Sequence, residues 1–566
     1  MAWEIRKIHE ALLSREVGAV RKEWGGRLRV ALVYPNRYKA GMSNLGFLGI
    51  HARINARRDA LCERAFLPSL AEERVLSRRP MLLSTLESGT PLKAFDIVAF
   101  SLSYENDLAN VPAILSAGGI PPFRADRAAD GRGHPLVLAG GFAASLNPEP
   151  SGTIADAVVI GDGERAMEEI LDLPSPRPID PDYLCDLASL SGVYVPAGYV
   201  PKYGRPEGGG LHGPLRLVTL DPLPGFPARV LRETVPLAEY PPFPPVLSED
   251  AELGRMALVE TSRGCPKMCG FCAAAYGCPE FREVPLSFVR AATDSAWSHR
   301  RTIGLIGAAV LDWRHFREFA KEILARGGAV SPASVRADLI DEEIADILRR
   351  SGHRTVTLAP ESGSERLRAR VGKRVTDKVF FSAVGTLARA GIVSFKLYFL
   401  VGIPGANRRE EVEGAVRFLR EFREAVLKEC REVGRMGTIT VNLSPFVPKP
   451  FTPLQWAPMA SEEELALRQE KIAARMRSVP NVRLSPGPPA SAVLEGFLGL
   501  SDRRVVQALR SARKGRIKLT RTDLAVPLSE VVFREKGAQE FFPWDAIEGG
   551  LPRKVLRARY ESILRG

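Results

Sequence analysis

The sequence predicts an α/β chain in which a doubly wound, Rossmann-like parallel sheet is followed by a partial (β/α)6 barrel and a small helix-rich tail. Three observations carry this. Short apolar, β-branched runs alternate with helix-length amphipathic stretches through the first third of the chain. The alternation recurs six times in the middle. A Pro- and Gly-rich stretch separates the two series. At 566 residues the chain is too long for one core. The expected division is residues 1–194 as the first domain, 195–250 as linker, 251–478 as the barrel and 479–566 as a basic tail.

In the first domain the strand-like runs are residues 29–35 (RVALVYP), 96–104 (DIVAFSLSY), 135–142 (PLVLAGGF) and 157–163 (AVVIGDG). Ligands of such sheets sit beyond the carboxyl ends of the strands. Residues 34–37, Ser101 and Ser103 within 101–106, Gly140 and Gly141, and Gly161, Gly163 and Glu164 should therefore share one rim, where glycine lets a ligand approach the backbone. The linker includes Gly208-Gly209-Gly210 and Pro241-Pro242-Phe243-Pro244-Pro245, with a few edge strands expected within it. The barrel strands are expected at residues 256–261, 302–310, 329–338, 355–361, 395–402 and 438–444, with helices such as 341–350 and 408–428 between them. Chemistry in such barrels gathers at the carboxyl ends of the strands.

Directly after the first barrel strand comes Ser262-Arg263-Gly264-Cys265-Pro266-Lys267-Met268-Cys269-Gly270-Phe271-Cys272. Thiols at CxxxCxxC spacing can hold three irons of a 4Fe-4S cluster, which in full ligation takes four cysteines. The fourth iron is then open to a substrate or cofactor, which points to an enzyme rather than an electron carrier. A Cys3His zinc site or a disulfide fragment would use the same residues, but zinc hooks come as separated pairs and no histidine follows before His299. Cys278 lies behind a turn-forming Tyr276-Gly277 and before Pro279, and Cys62, Cys185 and Cys430 read as buried thiols.

Seven cysteines without a dense even framework indicate a reducing compartment. The opening residues lack a signal-peptide core, and no apolar run is long enough to span a bilayer, so a cytoplasmic protein without membrane partners is expected. The net charge of +13 suits a polyanion such as RNA, although its spread and arginine bias also fit GC-rich coding. Only residues 510–518 are densely basic.

The cysteine loop together with this strand count resembles the radical SAM enzymes, and the preceding sheet resembles the B12 (cobalamin)-binding domain fused ahead of one large class of them. Further motifs resemble a bacterial branch of these proteins. They are residues 38–46 (YKAGMSNLG), 91–96 (PLKAFD), 147–150 (NPEP), 358–364 (LAPESGS), 396–399 (KLYF), 446–450 (FVPKP) and 542–547 (FPWDAI). The resemblance implies a cluster on Cys265, Cys269 and Cys272, with S-adenosylmethionine chelating the open iron. It places Phe271 beside the adenine, and Gly307-Ala308, in a degenerate Gly-Gly-Glu position, at the methionine amine. Ser334, Arg336 and Glu361 would meet the ribose and methionine carboxylate, with Arg336 alternatively an internal ion pair with Asp338 or Glu361. Gly402 and Pro404, within 402–405, would shape the adenine wall or form an ordinary strand-to-helix turn, and residues 445–456 would cover the barrel mouth or serve as a rigid exit loop packing the tail.

It also implies reductive cleavage of S-adenosylmethionine to a 5'-deoxyadenosyl radical, and a reducing partner such as flavodoxin or ferredoxin. Cobalamin would lie between the sheet rim and the barrel mouth and support methyl transfer. The Asp-x-His-x-x-Gly loop that ligates cobalt in many cobalamin domains is absent, since Asn36, Arg37 and Tyr38 follow the first strand. A cobalamin-independent radical enzyme acting on RNA or protein by hydrogen abstraction, rearrangement or methylthiolation therefore stays open, as does an Fe-S module without turnover.

Overall fold

The chain is described as a computed structural model over residues 3–78, 81–174, 179–205, 214–240, 246–278, 280–333, 335–434, 437–512, 515–519 and 524–565. It divides into two units: Met1–Arg255 with Phe497–Val531 and Gln539–Gly549, and Met256–Gly496 with Val532–Ala538 and Gly550–Gly566.

The first unit is built on a six-stranded sheet of β1 (Leu28–Tyr34), β2 (Ala60–Phe66), β3 (Ile97–Ser101), β4 (Leu136–Gly140), β5 (Ala157–Val159) and β6 (Val193–Tyr194). The order is β2-β1-β3-β4-β5-β6, with parallel pairing throughout except at β5-β6. This 2-1-3-4-5 core reverses direction between β1 and β3, which makes their carboxyl ends the topological switch point. Near-continuous burial of Val30 to Tyr34, Ile97 to Phe100 and Leu136 to Ala139 fits a sheet covered on both faces.

All four expected strands form, and β2 is an addition. Its sequence, ALCERAF, hides the signal because Glu63 and Arg64 are buried mid-strand. Glu63 accepts from Trp24 Nε1 (3.1 Å), Thr85 Oγ1 (2.5 Å) and Ser88 Oγ (2.6 Å). Arg64 is met by Glu16 (2.7 Å) and Glu87 (2.6 Å). Buried charge is tolerated when it is paired and hydrogen bonded in this way.

The expected linker is part of this unit. Within it β7 (Tyr199–Gly204) pairs antiparallel with β8 (Arg216–Pro222), and Val230–Leu231 pairs parallel with Ile547–Glu548. Gly208-Gly209-Gly210 and Pro241 to Pro245 lie outside the described residues.

The second unit carries parallel strands β9 (Ala257–Glu260), β10 (Thr302–Ile306) and β11 (Ala329–Pro332), then β12 (Thr355–Glu361), β13 (Ser394–Val401), β14 (Ile439–Pro445) and β15 (Val482–Pro486). The first three and last four form separate ladders, joined where Val335 N donates to Thr357 O (3.3 Å). The six expected barrel strands are present, and β15 adds a seventh beyond the expected boundary by pairing with β14.

The stretch after residue 479 accordingly does not form a third unit; its segments bury their apolar residues within the two larger ones. In the first, the NPEP motif holds it: Asn147 Nδ2 donates to Gly499 O (3.0 Å) and Ser501 O (2.8 Å), while fully buried Glu149 takes a bidentate pair from Arg503 (2.7 and 2.8 Å) and the Tyr194 hydroxyl (2.5 Å). In the second, the helix Arg553–Arg565 buries Leu556, Tyr560 and Ile563.

Removing one partner of a buried charge pair leaves the other uncompensated. Glu149→Ala is expected to lower stability by roughly 3 kcal/mol, read as a fall in the urea midpoint. Arg510→Ala, which breaks an exposed pair with Asp126, should cost under ~1 kcal/mol.

Candidate active site around the cysteine loop

Beyond β9, Ser262–Arg263 pairs antiparallel with Arg282–Glu283, so the cysteine loop is an excursion with its two ends tied together. Gly264 opens it at φ +78°, where a Cβ would stand 2.4 Å from Glu280 O, so a side chain is excluded. Cys265, Cys269 and Cys272 are half-buried, unbonded thiols. The Cys272 amide donates to Cys269 O (3.0 Å), and Cys272 precedes the short helix Ala273–Tyr276. Met268 adopts φ 51°, and its carbonyl accepts from the Tyr276 hydroxyl (2.9 Å), which in turn accepts from Arg559 (3.2 Å).

Gly270 is fixed from three sides. Its amide donates to Val371 O (2.8 Å), its carbonyl accepts from Leu454 N (3.2 Å), and a Cβ would meet Ile563 Cδ1 at 2.6 Å. The Pro-rich residues 445–456 thus reach the cysteine loop, in line with the expected cover. The C-terminal helix is a third wall that sequence reasoning did not find. Arg370 ties it down through the carbonyls of Ile563, Leu564 and Gly405.

Burial pushes the Cys269 thiol up to about 11; Cys272, Glu361 and Cys265 add to the shift and Lys373 opposes it. Burial also raises Cys272, with Cys265 and Glu361 adding and the Ala274 and Ala275 amides opposing. Both the Cys269 and the Cys272 thiolates are thus disfavoured, and a bound cation reverses this by releasing their protons. Among the described residues no three His, Cys, Asp or Glu side chains converge on one point, as they do around a single ion. A cubane instead takes each thiolate at a separate iron, and three cysteines on one braced loop suit that chemistry.

The other expected contacts are distributed around this loop. Phe271 is half-buried between Gly270 and Cys272. Gly307 ends β10, where a Cβ would lie 2.6 Å from Ser262 Oγ, and Ala308 beside it is exposed. Ser334 lies outside the described residues. Arg336 is engaged as an ion pair: its guanidinium binds Asp338 through two nitrogens and Asp312 through a third. The internal-pair alternative thus describes its contacts, with Asp312 as an additional partner. Glu361 closes β12 at φ +64° and accepts from Lys373 Nζ (2.8 Å). The Gly402 and Ile403 amides both donate to the buried Glu411 carboxylate (3.0 Å), which is paired with Arg468 (2.8 Å), and Pro404 is buried. Lys373, Asp312 and Glu411 were not singled out from the sequence, since an isolated charge in a helical or loop stretch carries no pattern.

In the first unit the rim residues gather, but two of the four named glycines serve the protein's own packing. Gly141, at φ +101°, would place a Cβ 2.7 Å from Leu102 O, and Gly161, at φ +97°, would place one 2.1 Å from Glu233 O. Glu233 crosses the end of β5, accepting at its carbonyl from Asp162 N (3.0 Å), so this part of the rim is covered. Gly140 and Gly163 have room for a Cβ, and Glu164 starts the helix Gly163–Asp172. Ser101 ends β3 and Ser103 accepts from Asn44 Nδ2 (3.0 Å). At the switch point Asn36 Nδ2 donates to Asp107 Oδ1 (2.8 Å) and Asn110 Nδ2 to Pro35 O (2.9 Å). Tyr104 and Phe142 stand 40% and 37% exposed on this edge. A small cleft of about 20 Å3 opens between Leu102, Glu105, Asn147 and Gly499.

Residues 259–419 match the Radical SAM superfamily model, and residues 46–196 match the model for the N-terminal region of radical SAM proteins. The chain is a radical SAM enzyme. Among its relatives, an uncharacterized protein of Methanocaldococcus jannaschii is 27% identical over 75% of this chain and 78% of its own length. An uncharacterized methyltransferase of Pyrococcus horikoshii is 25% identical over 58% of this chain and 67% of its own. The radical S-adenosylmethionine methyltransferase TsrM of Kitasatospora setae, solved with cobalamin and a [4Fe-4S] cluster, shares the fold of this radical SAM enzyme. It aligns with a TM-score of 0.53 at 15% identity over 87% of this chain and 100% of that one. Among the described residues no helix is long and apolar enough to cross a membrane.

Burial holds the Asp107 carboxyl up to about 6, against an ordinary value near 3.8. Between about pH 4 and 6 the folded state then binds more protons than the unfolded one, so this group's contribution to stability falls as pH rises through that window. Asp107→Asn is expected to remove that part of the slope, measured as urea midpoints from pH 4 to 7.

Proposed function

We propose that this radical SAM enzyme binds a 4Fe-4S cluster through Cys265, Cys269 and Cys272, cleaves S-adenosylmethionine reductively, and uses cobalamin to transfer a methyl group. The observation that carries the reading is the set of three half-buried thiols on one braced loop at the carboxyl end of the first barrel strand. The methyltransferase names of the Pyrococcus relative and of TsrM support methyl transfer. Bound in these places, the cluster supplies an electron to S-adenosylmethionine and cobalamin a cobalt able to carry a methyl group.

The chain's own residues would orient and enclose. Gly307, without a side chain, keeps its turn close to Ser262. The Gly402 and Ile403 amides are taken by Glu411, so an adenine at that turn would be met by packing rather than by these two donors. Residues 445–456 would keep water from the cluster side. In the first unit, the edge at the ends of β1, β3 and β4 carries Tyr104, Phe142 and the Asn36-Asp107 pair. Its cleft, at about 20 Å3, is far below the ~300–1,000 Å3 of enclosing ligand pockets and would not enclose a corrin. Asn36, Arg37 and Tyr38, which stand where many cobalamin domains carry a histidine loop, would offer cobalamin no histidine at this position.

A cobalamin-independent radical enzyme is the second reading, favoured by rim glycines that the protein's own backbone explains. An electron would come from a flavodoxin or ferredoxin. RNA remains a substrate class to test by salt-dependent binding, though Arg510 is already paired with Asp126 and Arg513 and Lys514 lie outside the described residues.

Replacing Cys265, Cys269 and Cys272 together by Ala should abolish iron and sulfide binding on anaerobic reconstitution, while Cys278→Ala retains it; equal loss in both would refute the ligand set. The optical spectrum of protein loaded with cluster and cobalamin, and assays for 5'-deoxyadenosine and S-adenosylhomocysteine, decide the reaction. Gly140→Trp, at a position where a Cβ makes only ordinary contacts, should remove cobalamin and leave the cluster loaded. A wild-type protein that takes up no cobalamin would leave the second reading standing.

A further inference from the structure

The strip Val371-Gly372-Lys373 lies along the cysteine loop. Val371 O takes the Gly270 amide (2.8 Å), and a Cβ on Gly372 would lie 3.5 Å from Gly270 N and Met268 O and 3.6 Å from Cys269 Cα. The strip is held by Arg368, which is fully buried: its carbonyl accepts the Lys373 amide (2.9 Å), and its guanidinium donates to Ser362 O (2.6 Å) and Val375 O (2.9 Å) and pairs with Asp377.

Lys373 Nζ then reaches Glu361 at 2.8 Å, with side chains 21% and 12% exposed, so both charges are largely withdrawn from water. Glu361 is held at φ +64°, at a break in the register between β12 and β13. A non-glycine residue adopts that backbone only at an energetic cost, and such positions gather at functional sites. Lys373 follows directly on Gly372, which packs against Cys269, so a positive and a negative charge are carried beside the loop as one pair.

An iron-sulfur cluster gains negative charge on reduction, and its potential responds to nearby charge and exposure. We propose that Lys373 is a positioning residue that raises the reduction potential of a cluster bound at Cys269, and that Glu361 anchors its ammonium and moderates the effect. This rests on the cluster reading above.

The test is a redox titration of reconstituted protein without S-adenosylmethionine, read by electron paramagnetic resonance of the reduced cluster. At a fixed potential Lys373→Met should lower the reduced-to-oxidised ratio about tenfold, equivalent to ~59 mV for one electron. Lys373→Arg should follow the wild type, and Glu361→Gln should shift the ratio the other way. Wild-type curves for Lys373→Met and Glu361→Gln at full iron content would overturn the proposal. If Lys373→Met fails to load iron, Glu361→Gln decides, and no upward shift overturns it. A wild-type protein that binds no iron would instead refute the cluster reading itself.

Discussion

The backbone of Gly270 is the point on which the second unit's site depends. One amide and one carbonyl tie the cysteine loop to Val371 after the fourth barrel strand and to Leu454 in the Pro-rich segment, and the missing side chain admits Ile563 of the C-terminal helix. A loop with two positive-φ residues, Gly264 and Met268, has little regular structure of its own. Its thiols keep their spacing because three distant segments hold one residue between them. Such bracing reduces the ordering that cluster binding has to bring about, and it shifts the metal's contribution from folding the loop to releasing thiol protons.

The parts of the fold and site legible in the sequence are those whose signal is local. The CxxxCxxC spacing lies within eight consecutive residues, and runs such as RVALVYP declare buried parallel strands without knowledge of their neighbours. The β2 strand was hidden because Glu63 and Arg64 break its apolar pattern, and what makes them tolerable, Glu16, Trp24, Thr85, Ser88 and Glu87, is scattered along the chain. Arg336 illustrates the same limit at the site. Asp338 is two residues away and was foreseen as a partner, but Asp312 is twenty-four residues upstream, and only the fold brings it to the guanidinium.

Motifs can also be legible while their work is not. Asn147-Pro148-Glu149-Pro150 stands near the carboxyl end of β4, where a ligand contact is the natural expectation. Its amide and carboxylate are instead spent on Gly499, Ser501 and Arg503. The glycines at 141 and 161 are similar: their positive φ is real, and the close approach it permits is to Leu102 and Glu233. What this leaves on the open edge is the switch point between β1 and β3, with Asn36, Asn44, Ser103 and Asp107 hydrogen bonded across it.

The alternation of the last segments between the two units has a consequence for how the protein is made. Residues 497–531 and 539–549 complete one unit, and 532–538 and 550–566 complete the other. Synthesis at roughly 5–20 residues per second delivers the cysteine loop well before the helix Arg553–Arg565 that walls it. Throughout that interval Gly270 has no Ile563 against it and Tyr276 no Arg559, so the nascent loop stands open on one side. The side of the loop that this helix walls is therefore the last to be closed.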